Sequence, residues 1–390
     1  MTTQPSGDLE DPHPFSLAEG PFVRVLERCH LTRADRTPRA WVFVVVAWGP
    51  LFVGALYKYA VGQPPARILL DLSVHVRLLV GIPLVILAER LLEARCRGSV
   101  RQLYDGAFAD PAQLDPILHR VERLRDSRWI ELAMLVAVIA VAQSMLWGLM
   151  APTGFFSGVK DAGSLSFGHL WYVCVALPIA QFLMLRWLFH WVLWSYIVVG
   201  VSRLPLATIA THPDHAAGLG FLASPVSAFD TFVLAVSATI AGAWVTQLIA
   251  GTAELPQFVP TFVAFVMLVA LVGLGPLLVY VPVLYRARHR ELSKYNGLAL
   301  DYVREFHRKW IETRRDRRDL LGTQDLQALN DLGGSFETLT RVRLVPFGPR
   351  PLVGIWVVAL LPMLPLVATT MPLNKLLATI GHALLGGLPA

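Results

Sequence analysis

Residues 260–290 read PTFVAFVMLVALVGLGPLLVYVPVLYRARHR. From Pro260 to Tyr285 no side chain is charged; the next five residues bring three arginines and a histidine. As a helix the uncharged run rises about 39 Å, enough to cross a hydrocarbon core of roughly 30 Å. The arginines mark where the chain meets water, because a guanidinium at membrane depth costs about 3 kcal/mol on insertion scales. The stretch is therefore read as a transmembrane helix that ends on a basic side.

The same reading extends outward. Six more apolar segments lie at 41–61, 72–93, 129–150, 169–193, 228–250 and 352–372. Lys and Arg alternate between the stretches that flank them. Residues 1–40, 94–128, 202–227 and 286–351 hold five, seven, one and fourteen, which is 27 of the 34; the other four stretches hold Arg67, Lys160, none and Lys375. Loops that remain in the cytoplasm keep their positive charge. The expected fold is an all-α membrane protein, a bundle of about seven transmembrane helices with short cytoplasmic helices and a cytoplasmic N-terminus. Trp41, Tyr57, Trp129, Trp147, Trp171 and Trp356 fall near segment ends, as interfacial aromatics do.

Composition agrees. With 55% hydrophobic and 16% charged residues, most of the 390-residue chain belongs in lipid, in one bundle rather than two or three soluble domains. The net charge of +6 sits in membrane-flanking loops. The expected partners are the lipid bilayer and anionic lipid at the basic helices, not nucleic acid. The first 40 residues hold no apolar signal-type run, and Asp8, Glu10 and Asp11 make their start acidic. Cys29 and Cys96 flank helices and Cys174 lies within a span, so no disulfide is expected.

Between the spans, residues 15–32 place Phe15, Leu17, Phe22, Val25 and Leu26 among charges, the pattern of a short interfacial helix in the 1–40 segment. Residues 94–128 read as a helical hairpin, with Asp110-Pro111 starting its second arm. In the 286–351 segment, Leu292, Tyr295, Ala299, Tyr302, Val303, Phe306 and Trp310 recur at helical spacing and continue the sixth helix. Thr323 and Ser335 are expected to cap two further short helices separated at Gly333-Gly334. The tail 373–390 reads as an outer interfacial or re-entrant piece.

Two strings are distinctive: HPDHAAGLGFL at 212–222 and RVRLVPF at 341–347. On them the chain resembles a group of bacterial multi-spanning membrane proteins. That resemblance implies a bacterial inner-membrane setting and carries no activity with it.

Several polar groups stand out against the apolar background. Arg186 and His190 lie one turn apart in the fourth span, where a charge needs a partner or water. Glu131 and Asp230, each near the start of its span, are the expected partners. The second span begins with Asp71, Ser73, His75 and Arg77, with Asp71 and His75 on one face. The inner loop 202–227 carries Thr211, His212, Pro213, Asp214 and His215. Pro213 suits the first turn of a helix capped by Thr211 or His212, with Asp214 complementing the dipole. The alternative is a polar site at the inner mouth beside Arg186 and His190, where His212 titrates as a proton relay. His212, Asp214 and His215 are also residue types that ligate a divalent metal, the one cofactor the chain suggests. In the fifth span Thr231, Ala235, Ala238, Gly242 and Thr246 form a small-residue stripe suited to close helix packing.

No nucleotide-binding loop, dinucleotide fingerprint, His-Glu-x-x-His or Gly-x-Ser-x-Gly motif occurs. A seven-span hydrolase with a late His-x-x-x-His pair is not matched, since His382 stands alone near the end. No catalytic residues are assigned. The expected function is a transporter or channel-like protein for a small solute or ion. The alternatives are a non-catalytic scaffold or sensor acting through the basic cytoplasmic helices, and a membrane-embedded metal hydrolase.

Overall fold

The computed structural model describes residues 15–32, 38–62, 71–150, 167–312 and 324–366, with backbone alone at 145–150. The expectations for Arg67, the loop around Lys160, Thr323 and the 373–390 tail fall outside these residues. The described part is helical: α1 Pro21–Arg28, α2 Ala40–Ala60, α3 Leu72–Asp105, α4 Pro111–Arg125, α5 Arg128–Met150, α6 Phe167–Val201, α7 Val226–Ile249, α8 Leu255–Glu312, α9 Gln324–Thr340 and α10 Pro349–Leu366. Among the described residues there is no strand, only an isolated bridge between Thr32 and Pro38.

Helices α2, α3, α6, α7, α8 and α10 are each long and apolar enough to cross a membrane. The pair α4–α5, bent by 45°, raises the number to seven if it counts as one span. The protein is an all-α, multi-pass membrane protein.

Prolines shape the long helices. A proline lacks the N–H that its turn needs and its ring crowds the carbonyl four residues back. In α3 the turn at Val76–Gly81 widens to a π-helix just before Pro83, and in α6 the turn at Tyr172–Ala176 does so before Pro178. In α8, Pro276 lies in a tighter 3₁₀ stretch, Gly275–Tyr280. These irregular turns absorb the missing bonds without ending the helices.

At the centre, α3, α6 and α7 pack around an aromatic stack. Trp187 lies parallel to Phe232 with ring centroids 4.0 Å apart, and Trp191 and Phe229 extend the group. The small stripe of α7 meets α3: a Cβ at Gly242 would sit 3.2 Å from Val76, and one at Gly81 would sit 3.3 Å from Thr239. Thr246 Oγ1 donates to Asp71 at 3.0 Å, closing the same seam. The stripe is therefore a packing surface.

Two local expectations change. Of residues 15–20, Phe15, Leu17 and Ala18 are buried against the bundle rather than exposed on one face. Helix α9 runs through Gly333 and Gly334 to Thr340, so Ser335 caps nothing. Each interior glycine costs about 1 kcal/mol of helix propensity. Burial of Leu339 beside Ala210, against Leu292 and Tyr295, holds the helix together beyond them. Helix α8 continues past the bundle to Glu312, and α9 folds back along it to make a two-helix arm.

Candidate functional site

Glu89 and Glu93 are one turn apart on α3, and Arg186 and His190 are one turn apart on α6. The two faces oppose each other. Arg186 Nη1 lies 2.6 Å from Glu89 Oε1, and His190 Nδ1 lies 3.4 Å from the same oxygen. The side chains of Arg186, Glu89 and His190 are only 1%, 4% and 5% exposed. Arg186 thus pairs with Glu89, not with Glu131 or Asp230. In lipid or protein interior the desolvation of such a pair is tolerated only where further donors and acceptors surround it.

The N-terminal segment supplies them. The backbone N–H groups of Leu17 and Ala18 donate to Glu93 Oε2 at 2.6 and 2.8 Å. The Ala18 carbonyl accepts from Arg186 Nη2 at 3.3 Å, and the Ser16 carbonyl accepts from Arg125 Nη1. Glu131 accepts the N–H of Phe22. The Phe22 ring lies 4.9 Å from the Arg186 guanidinium, a cation–π contact, and 5.2 Å from Phe182. Outside this, Arg24 pairs with Asp126 at 3.0 Å and Arg97 with Glu93 at 2.7 Å. Residues 15–26 form a strap whose peptide groups join a network that includes Glu89, Glu93, Asp126 and Glu131 with Arg24, Arg97, Arg125 and Arg186. Arg186 Nε has no hydrogen-bond partner among the described residues.

Glu131 therefore belongs to the site, through the strap. Asp230 does not. It sits in α7 against Gly354 of α10, where an added Cβ would lie 3.1 Å from its Oδ2, and its buried Oδ1 has no hydrogen-bond partner among the described residues.

Asp71 and His75 lie at the far end of α3. Glu89 is 14 residues beyond His75, about 21 Å along the helix. Asp71 caps α3 by accepting from Ser73 N at 2.8 Å, and His75 Nδ1 accepts from Trp48 Nε1 at 3.0 Å. Arg77 donates to the Tyr172 hydroxyl. Between the two ends the bundle is filled by Leu78, Ile82, Ala176, Ala180 and Leu183, all buried.

The inner loop is also separate. Val201 is 15 residues past Arg186, about 22 Å along α6, and the loop begins beyond it. Among the described residues no hydrogen bond or ion pair joins His212, Asp214 or His215 to Arg186 or His190. No helix starts at Pro213. Instead the chain coils around the Asp214 carboxylate, which accepts from the N–H groups of Ala216, Gly218 and Gly220 at 2.8, 3.1 and 2.9 Å. His212 Nδ1 lies 2.9 Å from Asp214 Oδ1. This nest needs left-handed backbone at His215, Ala217 and Gly218, and it has it. Burial acts to raise the Asp214 carboxyl, yet the three backbone donors and His212 together hold it below the usual aspartate range. Arg343 clamps the loop: its Nη2 donates to the Asp214 carbonyl at 2.6 Å and its backbone N–H to the His215 carbonyl at 2.8 Å. The strings 212–222 and 341–347 thus meet in space. Among the described residues no group of three His, Cys, Asp or Glu is assembled for a metal ion.

Sequence reasoning missed Glu89, Glu93 and Arg125 as site residues. The available signal was the i, i+4 pair of acids on the same helix face as Leu92 and Cys96, a face that points inward. Set beside known proteins, the chain matches no protein family, no curated protein and no solved structure.

Proposed function

We propose that this multi-pass protein is a transporter or channel-like protein for a small solute or ion, with the strap-covered network as its gate. One observation carries the reading. A buried Glu89–Arg186 pair with an adjoining imidazole is closed over by a separate chain segment that holds Arg186 through the Ala18 carbonyl and the Phe22 ring, and the neighbouring Glu93 through two backbone N–H groups. Ionisable residues at membrane depth are costly and are characteristic of ion and solute pathways. Withdrawal of the strap would free the carboxylates of Glu93 and Glu131 and the donors of Arg125 and Arg186. Those are the groups a polar solute or ion would need.

The test is flux in liposomes for K⁺, H⁺ and Cl⁻. A variant lacking residues 1–20 is expected to pass at least one of them faster than the full chain, and Glu89→Gln within that variant to reduce the flux. Identical flux from the full chain, the truncated chain and empty liposomes sinks the reading.

A second reading, a scaffold or sensor, draws on the arm. There α8 exposes Leu298, Leu300, Val303 and Ile311 next to Arg304 and Arg308. Flux that persists unchanged when α9 is deleted would separate the two roles.

The alternation of positive charge supports an orientation with the N-terminus and the arm in the cytoplasm; a bacterial inner-membrane setting rests on the resemblance carried by the 212–222 and 341–347 strings alone. A cysteine placed at the exposed Gln257 should react with an impermeant reagent from outside intact cells, and one at Arg304 should not. Labelling at Arg304 would invert the topology.

A further inference from the structure

Where α6 ends and α8 leaves the bundle, residues 202–208 and 279–290 enclose an open groove of ≈ 990 Å³. Its rim is basic: Arg203, Arg286, His289 and Arg290 line it, and among the described residues no acidic side chain does. Its inner wall is apolar, formed by Leu204, Leu206, Val279 and Val283. The Tyr285 ring stacks parallel on His289, centroids 6.0 Å apart, and so orders that rim. Arg286 Nε donates to the Pro282 carbonyl at 3.0 Å and Arg290 Nε lies 3.3 Å from Glu291; both residues are exposed, and among the described residues their outer guanidinium nitrogens make no hydrogen bond. Arg203 has no side-chain hydrogen bond or ion pair among the described residues.

The level of this groove is set by α8. Its uncharged run stops at Tyr285, and Tyr280 ties it to α6 by donating to the Val198 carbonyl at 3.0 Å. On α8 the apolar lining residues Val279 and Val283 thus belong to the uncharged run, and Arg286 and Arg290 to the charged stretch that follows it. A ligand that satisfies both must carry a negative headgroup and an apolar body. Guanidiniums bind phosphate oxygens in pairs of charge-assisted hydrogen bonds. A free phosphate would leave the apolar wall wet.

We propose that this groove binds one anionic phospholipid, its phosphate among Arg203, Arg286 and Arg290 and its acyl chains against Leu206, Val279 and Val283. The lipid would bridge α6, which carries Arg186, to α8, which carries the arm. The inference does not depend on what the protein transports.

The test compares phosphatidylglycerol with phosphatidylcholine, added to the purified full chain in detergent. Phosphatidylglycerol should raise the melting temperature above phosphatidylcholine, and native mass spectrometry should show one retained copy. The variant Arg203→Gln/Arg286→Gln/Arg290→Gln should lose that lipid, with affinity falling about fivefold per arginine removed. Arg304→Gln/Arg308→Gln, on the arm, should keep it. In wild-type protein a phosphatidylglycerol with a photoreactive acyl chain should label residues 202–208 and 279–290, a readout that needs no variant to fold. Labelling confined to other segments overturns the proposal, as does a triple variant that retains the lipid. An equal rise in melting temperature from inorganic phosphate in phosphatidylcholine would replace the lipid site with a simple anion site.

Discussion

In the strap-covered network Arg186 meets Glu89 at 2.6 Å with side chains 1% and 4% exposed; on the arm Arg341 meets Glu337 at 2.5 Å with side chains 66% and 61% exposed. Separation does not distinguish the two pairs. Environment does. In the bundle both charges have left water, so each depends on the other and on the peptide groups of the strap. On the arm both keep their hydration and gain little from meeting. The bundle thus holds charges that fold and function must both accommodate, whereas the arm displays charges that remain available to solvent, lipid or a partner.

The largest effect should come from separating the buried pair. Arg186→Leu leaves Glu89 buried with His190 as its nearest remaining partner, and should destabilise the purified protein by about 3–5 kcal/mol. Glu89→Leu should do similar damage. The double variant should recover much of the loss, because two apolar side chains in that place no longer need each other. A melting temperature for Arg186→Leu equal to wild type would mean that water reaches the pair, and the contrast with the arm would vanish.

The Asp214 nest lies between the extremes. Asp214→Ala removes the acceptor of three backbone N–H groups in a partly buried loop, with an expected loss of about 2 kcal/mol. Its pH dependence has a definite sign. The folded carboxyl titrates below its unfolded value of about 3.9, so its contribution is full above that pH. It is lost as pH falls through the lowered folded value. Wild type should therefore lose more stability than Asp214→Ala on acidification below about pH 4. Parallel profiles for the two would show that the backbone donors do not hold the charge.

How legible all this was depends on the kind of force involved. Spans and their basic flanks follow from transfer free energy summed over about 20 residues, so hydropathy finds them. Arg186 and His190 stood out because a charge inside such a run is rare. Their partner did not, because Glu89 lies among Arg90, Arg95 and Arg97 and looked like the edge of a span. Which acid faces which arginine is a property of helix rotation and packing. The burial of the strap was hidden for a related reason: Phe15, Leu17 and Phe22 suit a membrane surface and a bundle interior equally well. The Asp214 nest was hidden in dihedral angles, since non-glycine residues at His215 and Ala217 adopt φ of 52° and 55°. No propensity rule foresees that.

The arm can be sharpened by a change of opposite sign. Gly333 lies inside α9 with nothing within 4 Å of where a Cβ would be. Gly333→Ala should stabilise the arm by about 0.4–1 kcal/mol by restricting the unfolded chain, seen as slower amide exchange across 324–340. Exchange that speeds up instead would mean that a neighbour covers this face.

The smallest effect should come from the exposed pair, and it closes the comparison. Arg341 and Glu337 are four residues apart at the end of α9, both mostly in water. Such pairs contribute about 0.3–0.5 kcal/mol and weaken as salt rises, because counter-ions screen them over roughly 10 Å at 0.1 M. A double-mutant cycle with Arg341→Ala and Glu337→Ala, followed by amide exchange in α9, should return a coupling of that size at low salt. At high salt the coupling should fall toward zero. The buried cycle of Arg186 and Glu89 should hardly change with salt, since ions do not reach it. A salt-independent coupling above about 1 kcal/mol for Arg341 and Glu337 would place the arm in a low-dielectric setting. In a purified protein that means a second chain or bound lipid covers it, and the scaffold reading would then gain the support that the buried network gives to transport.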